Sequence, residues 1–355
     1  MYYLESASMD PAWNLALEQF VFDQLGPRED CFMLWQNDRT IVVGKYQNVL
    51  EEINSTYVKE HGITVVRRLS GGGAVYHDRG NLNFTFVARD CQGGMIDFSS
   101  FCRPVVDALR EMGVPAQING RNDMTIGDKK FSGNAQYLRQ GRVMHHGTLM
   151  FDSDLEVVGQ ALAVRPDKIQ SKGLKSVRSR VTNIKPYVND PQMTVEDFWA
   201  ALRERMFWCF SMRKYQLSPQ ELEQVEELRK RIYSQWEWNH GHSPACSIRK
   251  ERRVEGCGTL QIHMDVEKGN ITRLAFRGDY FARKDSDALA EYLQGTPLEE
   301  GALRQALKDW PVEDYFVRMD LDTLCVCYAA IKHCGSGSLS LQRLDRDGES
   351  THESI

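Results

Sequence analysis

Residues that can bind and activate an anion are concentrated in two stretches of the chain. The first, Arg67–Asn81, reads RRLSGGGAVYHDRGN and follows a short β-rich run, Ile63–Val66. Glycine lets the backbone turn at positive φ and approach a ligand closely, and successive exposed N–H groups in such a turn attract anions. Guanidinium groups have the right shape for phosphate or carboxylate. The stretch therefore predicts an anion site, with a plain glycine-rich turn and solvated arginines as the alternative.

The glycine-rich stretch matches neither of two common phosphate-binding motifs. A Walker loop would continue with Gly-Lys-Ser/Thr, which is missing here, and a dinucleotide fingerprint would open a helix where a strand-like run follows. The stretch thus indicates an anion without saying which one.

The second stretch, Gly120–Ala135, reads GRNDMTIGDKKFSGNA. Apolar and polar residues alternate from 121 to 151, which predicts antiparallel strands and can place Asp123, Lys130 and His146 on one face of a sheet. Lys129 should then point the other way, toward solvent.

A lysine at position 130 suits the activation of a carboxylate by ATP. In that reaction the carboxylate attacks the α-phosphate and displaces pyrophosphate, so two anions must meet. At ~4 Å and an effective dielectric of about 20, unit charges repel by roughly 4 kcal/mol. The Lys130 ammonium would offset much of that repulsion and align both groups. Asp123 would hold Mg²⁺ or a ribose hydroxyl, because magnesium favours one or two carboxylates together with phosphate oxygens.

Basic residues also cluster at 171–183, where four of them lie within nine positions among Gly and Ser. We interpret this segment as a mobile basic flap over a charged ligand, with a solvated basic loop as the alternative. His145-His146 and His240-Gly-His242 could each suggest a metal, but neither has a third and fourth ligand nearby in the sequence.

Capping and periodicity predict the elements that position these residues. Asp10-Pro11 predicts the start of a helix that runs to about Leu25. Strands are predicted at Cys31–Trp35, Thr40–Val43, Ile63–Arg67, Ala74–His77 and Leu82–Val87, and helices at Ile53–His61, Phe98–Met112, Leu155–Leu162, Val195–Trp208 and Pro219–Ser234. In Leu82–Val87 the apolar residues alternate with Asn83 and Thr85, which predicts a half-buried strand.

The composition shifts at Trp236–Pro244, where we expect a linker between two units. Beyond it, Ser247–Phe281 alternates like a small antiparallel sheet, and short helices follow. The predicted organisation is a catalytic domain at 1–238, a small accessory domain at 239–334 and a flexible tail at 335–355 that is rich in Ser, Gly and acidic residues.

Composition limits the possible partners and compartment. The chain has 355 residues, 42% hydrophobic and 26% charged, with a net charge of −5. These values are ordinary for a soluble globular protein and do not favour a nucleic-acid surface. No apolar run is long enough to span a membrane, and MYYLESASMD does not resemble an export signal. Nine scattered cysteines without a C-x-x-C pair are typical of reduced thiols, so a cytoplasmic location is expected.

Four ordered motifs resemble the lipoate–protein ligase family: RRLSGGGAVYHDRGN, GRNDMTIGDKKFSGNA, HHGTLMFDSDL and KGLKSVRSRVTNI. The resemblance extends to about residue 333 and includes the RIYSQWEWNHGHSP junction and GNITRLAFRGDYF. It implies an α+β fold whose large domain has a mixed, mainly antiparallel sheet flanked by helices, as in biotin ligases and class II aminoacyl-tRNA synthetases. A small C-terminal α+β domain is implied as well.

The resemblance also implies an activity. Lipoate would be activated with ATP to lipoyl-AMP and transferred to a lysine of a lipoyl domain of a 2-oxoacid dehydrogenase or of the glycine-cleavage H protein. The expected protein is a monomer that binds neither nucleic acid nor membrane. By resemblance, the positions that contact the nucleotide, magnesium and the lipoyl group are Arg68, Ser70, Gly72, Gly73, Ala74, Val75, Tyr76, Asn122, Asp123, Lys130, Ser132, Ala135, His146 and Thr148. Lys130 would be the catalytic residue and Asp123 the metal ligand.

Two other functions fit parts of the pattern. An octanoyl or lipoyl transferase of the same fold would use a cysteine nucleophile beside the pocket. No cysteine lies between Cys102 and Cys209, which argues against it, although Cys91 and Cys102 keep it open. A binding protein that sequesters lipoylated domains without turnover is the other alternative.

Overall fold

The computed structural model describes residues 1–89, 97–120, 122–162, 180–241, 248–267 and 269–329. The predicted tail at 335–355 and residues 171–179 of the predicted flap lie outside these ranges. No helix among the described residues is long and apolar enough to cross a membrane.

The strands form three sheets within the described residues. Their bounds are β1 Tyr2–Glu5, β2 Cys31–Trp35, β3 Thr40–Val43, β4 Thr64–Arg67, β5 Val75–His77, β6 Asn81–Arg89, β7 Ala116–Asn119, β8 Asp123–Ile126, β9 Lys129–Arg139, β10 Arg142–Met150, β11 Arg213–Lys214, β12 Ile248–Val254, β13 Gly258–Glu267 and β14 Asn270–Gly278. The large sheet has the order β11-β1-β2-β6-β10-β9-β8-β7, in which β1 runs parallel to β2 and β11 and the other pairs are antiparallel. This mixed, mainly antiparallel sheet confirms the predicted fold class.

The helices cover both faces of the large sheet and complete the C-terminal region. They are α1 Pro11–Phe20, α2 Val49–Glu52, α3 Ser55–Glu60, α4 Ser99–Glu111, α5 Leu155–Ala161, α6 Val195–Cys209, α7 Pro219–Leu228, α8 Trp236–Asn239, α9 Ser286–Tyr292, α10 Glu300–Leu307, α11 Val312–Tyr315 and α12 Leu321–Ala329. The predicted start of α1 is confirmed, because the Asp10 side chain accepts a hydrogen bond from the Ala12 N–H. A π-helical turn at Val21–Leu25 continues α1 to the predicted end.

Strand β6 is buried on both faces, so the prediction of a half-buried strand was wrong. Phe84 and Phe86 pack in the core formed with α4 and α6. Asn83 and Thr85 face the other side and are each 1% exposed, because α1 covers that side. The Thr85 hydroxyl donates to Glu18 Oε1 of α1 at 2.7 Å. Polar residues are tolerated here because they are hydrogen-bonded, which alternation alone does not reveal.

A small sheet with the order β4-β3-β5 carries the glycine-rich stretch between its strands β4 and β5. Strands β2 and β3 follow each other in the chain but belong to different sheets, so the segment between them crosses from the large sheet to the small one. This crossing brings the glycine-rich stretch over one face of the large sheet.

The C-terminal region contains the antiparallel sheet β12-β13-β14, as predicted. Its own apolar core includes Leu260, Phe276 and Leu307. The linker predicted at 236–244 begins instead with helix α8. Trp238 and Asn239 of this helix hydrogen-bond to Arg67, which fixes the helix to the N-terminal region. Residues 242–247 lie outside the described ranges.

Candidate active site

A pocket lies between the glycine-rich stretch, α1 and the large sheet. Of the predicted site residues, those that line it are Arg68, Gly73, Ala74, Val75, Asn122, Lys130, Ala135, His146 and Thr148. Residues from separate stretches of the chain therefore line one cavity. Ser70, Gly72, Tyr76, Asp123 and Ser132 do not line this cavity, and each is placed below.

Lys130 stands at the rim of the pocket near the start of β9. Its Nζ lies 2.7 Å from Asp123 Oδ1, and both side chains are 37% exposed. A Cβ added to Gly133 would lie 3.0 Å from the same Nζ, so the ammonium rests against bare backbone. The neighbouring Lys129 is exposed, as predicted. Lys130 is thus a half-buried cation that opens onto the pocket.

The hairpin β8–β9 sets this position. Gly127 has φ +58° at the turn, a conformation that favours glycine. The Lys130 carbonyl accepts from the Thr182 N–H at 2.9 Å, so the end of the segment predicted as a flap anchors the lysine backbone. Ser132, also on β9, is fully buried and its hydroxyl accepts from the Asn134 amide at 3.2 Å.

Arg68 is held almost entirely by the glycine-rich stretch itself. Its Nε donates to Ser70 Oγ at 2.9 Å, and its Nη2 donates to the carbonyls of Gly71 and Gly73 at 2.7 and 2.8 Å. Burial lowers the pKa of Arg68 to about 10, so the group remains a cation at neutral pH. It adds positive potential to the pocket wall while most of its N–H groups are occupied.

Arg67 points away from the pocket and is fully buried. It donates to five backbone carbonyls, those of Gly44, Lys45, Gln47, Trp238 and Asn239. The alternative of solvated arginines is therefore wrong for both positions, and so is the idea that both guanidinium groups are available to an anion. Arg67 has a structural role that joins the small sheet to α8.

The three consecutive glycines have different roles: Gly71 and Gly72 contact the C-terminal region, and Gly73 lines the pocket. A Cβ at Gly71 would lie 2.3 Å from the Tyr280 carbonyl oxygen, and the Gly72 N–H donates to the same oxygen at 3.3 Å. Gly73 has no atom within 4 Å of such a Cβ and lines the pocket. Contact with the C-terminal region therefore requires the first glycine, and only the last offers bare backbone to a ligand. Tyr76 lies beyond them in an apolar cluster under β3.

A series of hydrogen-bonded, buried polar side chains runs through the pocket wall. Ser70 Oγ lies 2.6 Å from His146 Nε2, and His146 Nδ1 lies 2.8 Å from Glu18 Oε1. The connectivity resembles a serine–histidine–carboxylate triad. However, Ser70 is 1% exposed, accepts from Arg68 and does not line the pocket, so it is not placed to attack a ligand. The series instead fixes the orientation of Arg68 and His146.

The end of the pocket away from Lys130 is closed and largely apolar. Leu15, Trp35 and Val42 line it together with His77 and Asn83. His77 is 2% exposed, and burial, followed by the charges of Arg68 and His146, lowers its pKa to about 3. Its imidazole is therefore neutral at physiological pH.

Sequence reasoning missed this closed end. The residues it did not single out are Leu15, Trp35, Val42, His77, Asn83, Gly133, Asn134 and Gly147. The spacing within α1 could have indicated part of it, because Leu15 and Glu18 are three residues apart and so lie on the same face of the helix. His77 was visible inside the glycine-rich motif, but nothing in its spacing distinguished it from a core histidine.

No group of three or more potential metal ligands occurs among the described residues. His145 and His146 point to opposite faces of β10, and burial holds the pKa of His145 well below its usual value. Asp123 is the half-exposed carboxylate beside Lys130. A single carboxylate at the pocket rim is compatible with Mg²⁺ binding, because substrate phosphates usually supply the remaining ligands of this ion.

Two family descriptions match the chain. Residues 10–207 match the lipoyl protein ligase A/B catalytic domain, and residues 243–327 match the bacterial lipoate protein ligase C-terminus. The chain belongs to the lipoate–protein ligase family. It is 41% identical over 310 residues to lipoate-protein ligase LplJ of Bacillus subtilis, covering 86% of this chain and 93% of the relative. It is also 41% identical over 311 residues to lipoate–protein ligase 1 of Staphylococcus aureus, covering 88% and 94%.

Solved structures of similar fold include several lipoate ligases. LipL1 of P. falciparum in complex with lipoate has a TM-score of 0.70 at 25% identity, covering 87% of this chain and 94% of that one. A bipartite ligase from Thermoplasma acidophilum, studied with its E2 lipoyl domain, has a TM-score of 0.59 at 29% identity, covering 70% and 98%. Lipoate-protein ligase A bound with ATP has a TM-score of 0.58 at 26% identity, covering 68% and 98%. The protein is therefore an enzyme of this ligase family.

Proposed function

We propose that this enzyme activates lipoate with ATP to lipoyl-AMP, releases pyrophosphate, and then transfers the lipoyl group to a protein lysine. The observation that carries the proposal is the placement of Lys130 at the open rim of a pocket whose other end is buried and lined mainly by apolar residues, with His77 and Asn83 beside them. A charged rim and a largely apolar far end match an acid with a reactive carboxylate and a hydrophobic chain.

The pocket has a suitable length for such an acid. Lys130 lies on β9 and Trp35 on β2, and β10 and β6 separate these strands. Three inter-strand spacings of about 4.8 Å amount to roughly 14 Å. An extended eight-carbon acid fits within that span, with its carboxylate at Lys130 and its far end against Trp35.

Lys130 would act by electrostatics. When the substrate carboxylate displaces Asp123 as partner of the ammonium, the lysine can hold that carboxylate and the α-phosphate together. This lowers the repulsion between them, and the interaction strengthens as charge develops in the transition state. The same ammonium position would serve the second step, in which an acceptor amine attacks the acyl carbon of lipoyl-AMP, the amide bond forms and AMP leaves.

Asn122, Asp123 and the backbone of Gly73–Tyr76 are the proposed nucleotide contacts. Asn122, Gly73, Ala74 and Val75 line the pocket, and the relative solved with ATP supports nucleotide binding at this fold. Asp123 would hold Mg²⁺, which would neutralise charge on the phosphates. Ser70 and Gly72 would act indirectly, because Ser70 supports Arg68 and the Gly72 N–H is already bonded to Tyr280.

A cysteine-dependent transferase receives no support from the described pocket. No cysteine is among the residues that line it. Cys102 is buried, and burial raises the pKa of its thiol to about 12, which disfavours the thiolate. Cys91 lies outside the described residues.

The acceptor we propose is a lipoyl domain of a 2-oxoacid dehydrogenase E2 subunit or the glycine-cleavage H protein. The Thermoplasma acidophilum ligase studied with its E2 lipoyl domain supports the first of these. The division into domains at 1–238 and 239–334 is proposed as well, supported by family matches on either side of the boundary. Monomeric state and cytoplasmic location stay predictions.

Pyrophosphate release tests the proposal. We expect pyrophosphate when ATP, Mg²⁺ and lipoate are supplied together, and a mass increase of a lipoyl domain by one lipoyl group when that domain is added. Omitting ATP should abolish both signals. Acyl transfer without ATP from an acyl-carrier donor would indicate the transferase instead, and binding of lipoyl domains with no pyrophosphate would indicate a non-catalytic binder.

A further inference from the structure

A buried hydrogen-bond donor faces the closed end of the pocket. His77 lines the pocket and is 2% exposed, and its Nε2 has no hydrogen-bond partner among the described residues. Buried polar side-chain atoms are nearly always paired. An unpaired ring nitrogen in a pocket wall indicates that a ligand atom completes the pairing.

The neighbouring amides determine which ring nitrogen carries the proton. Asn37 Nδ2 lies 3.1 Å from His77 Nδ1, and Asn83 Nδ2 lies 3.5 Å from the same atom. Amide nitrogens only donate, so Nδ1 must accept. The neutral imidazole therefore carries its proton on Nε2, which is the atom without a partner.

Further contacts orient both amides, and that of Asn37 is anchored to the backbone through Asn14. Asn37 Oδ1 accepts from Asn14 Nδ2 at 2.9 Å, and Asn83 Oδ1 accepts from Asn81 Nδ2 at 2.9 Å. Asn14 Nδ2 shares its two hydrogens between Asn37 Oδ1 and the backbone carbonyls of Ser8 and Gln36, which lie at 2.9 and 2.8 Å. Because a carbonyl can only accept, Asn14 cannot be flipped. The orientation is thus transmitted from the backbone through Asn14 and Asn37 to His77.

The position of His77 determines which part of the substrate lies beside it. Its ring centroid lies 5.9 Å from that of Trp35 in an edge-on arrangement. Trp35 is separated from Lys130 by three strand spacings, so a substrate whose carboxylate is at Lys130 places its far end beside His77. In lipoate that end is the dithiolane ring, whose sulfur atoms are weak hydrogen-bond acceptors and pack well against aromatic rings.

We propose that the His77 Nε2–H donates to a dithiolane sulfur and thereby makes the pocket select lipoate over acids of the same shape that lack sulfur. This inference rests on the proposed function. A purely hydrocarbon end would leave the imidazole N–H buried and unpaired, which is a cost that sites built around a hydrogen bond use to reject analogues. Since sulfur is a weak acceptor, the discrimination is smaller than at sites that bind hydroxyl groups.

The test compares lipoate with 5-cyclopentylpentanoate, its carbon isostere, with octanoate as a third acid. The measured quantity is kcat/KM for ATP–pyrophosphate exchange in the unmodified enzyme, in His77→Leu, which has no donor, and in His77→Gln, which keeps one. We expect the lipoate-to-isostere ratio to fall about 5- to 10-fold in His77→Leu and less in His77→Gln. Thermal unfolding of each variant is measured alongside.

The outcomes separate this inference from the proposed function. If kcat/KM of the unmodified enzyme is no higher with lipoate than with the isostere, or if His77→Leu lowers kcat/KM equally with both acids, His77 does not recognise the dithiolane sulfur. If no acid supports exchange in the unmodified enzyme, the proposed function itself fails.

A second readout does not depend on a variant that folds. NMR of isotope-labelled imidazole nitrogens should show His77 Nε2 protonated and Nδ1 unprotonated. Lipoate should shift the Nε2–H resonance in the manner of a new hydrogen bond, whereas the isostere should not. A proton on Nδ1, or equal shifts with both acids, would overturn the assignment.

Discussion

The glycine-rich stretch and the hairpin around Lys130 carry cations that look alike in the sequence, yet they use their charges differently. Arg67 and Arg68 are buried and donate mainly to backbone carbonyls. Lys130 is 37% exposed at the pocket rim, and its described ion-pair partner, Asp123, is equally exposed. The comparison teaches that the type of a charged residue does not reveal whether its charge is available. The first region builds the pocket, and we propose that the second performs the chemistry in it.

The sharpest test of this contrast is Lys130→Ala. We expect activation to lose ~3–4 kcal/mol, about the effect of removing an oxyanion donor, because the ammonium would no longer offset the repulsion between carboxylate and phosphate. The measurement is single-turnover formation of lipoyl-AMP. Lys129→Ala is the matched control, since its side chain is exposed on the adjacent position. Near-normal formation in Lys130→Ala would remove this residue from the mechanism.

Arg67→Leu tests the other half of the contrast. The substitution leaves five buried carbonyls without their common donor, so we expect the free energy of unfolding to fall by about 3 kcal/mol. Urea denaturation measures it. Arg79→Ala serves as control, because Arg79 is 73% exposed beside Asp38 and should change stability by less than about 1 kcal/mol. Equal effects of the two substitutions would contradict a structural role for Arg67.

The pH dependence of stability tests whether burial in the pocket wall keeps the His77 imidazole neutral. The pKa of His77 falls from 6.5 to about 3 on folding, so below pH 6.5 the unfolded chain binds a proton that the folded chain does not. Stability is therefore complete above pH 6.5 and falls as the pH decreases toward 3. Between pH 7.5 and 5.0 this group alone should cost about 2 kcal/mol.

The comparison for this pH effect is His77→Gln, which lacks the titrating group. Urea denaturation at both pH values should show a smaller loss in the variant than in the unmodified protein. His145 and the carboxylates titrate in both proteins and cancel in the difference. The same loss in both would mean that the His77 imidazole is not kept neutral by burial.

The smallest expected effect is a difference in stability between alanine substitutions at Gly71 and at Gly73. Gly71→Ala would place a methyl group 2.3 Å from the Tyr280 carbonyl oxygen, and relieving that clash should cost about 1 to 2 kcal/mol of unfolding free energy. Gly73→Ala meets no atom within 4 Å and should leave stability nearly unchanged. If Gly73→Ala were the more destabilising, the division of the run between packing and pocket would be wrong.

Local features of the sequence were enough to predict much of the fold. Asp10-Pro11 defined the start of α1, and the alternation across 121–151 predicted the strands that bring Asp123 and Lys130 together. These predictions depend on caps and periodicity within a few residues. The half-buried assignment of β6 failed because α1, more than sixty positions earlier, covers its polar face.

The sequence by itself determined the motifs, the strands that carry them and the lysine at the centre of the proposed chemistry, since these depend on neighbours in the chain. Only the tertiary structure decided that Arg67 is buried structural support, that Gly71 packs on Tyr280, and that His77 lines the pocket with an Nε2 that has no partner among the described residues. Each of these depends on carbonyls, amides and helices contributed by distant segments. Burial and hydrogen bonding are properties of the assembled surroundings, and a linear pattern does not contain them.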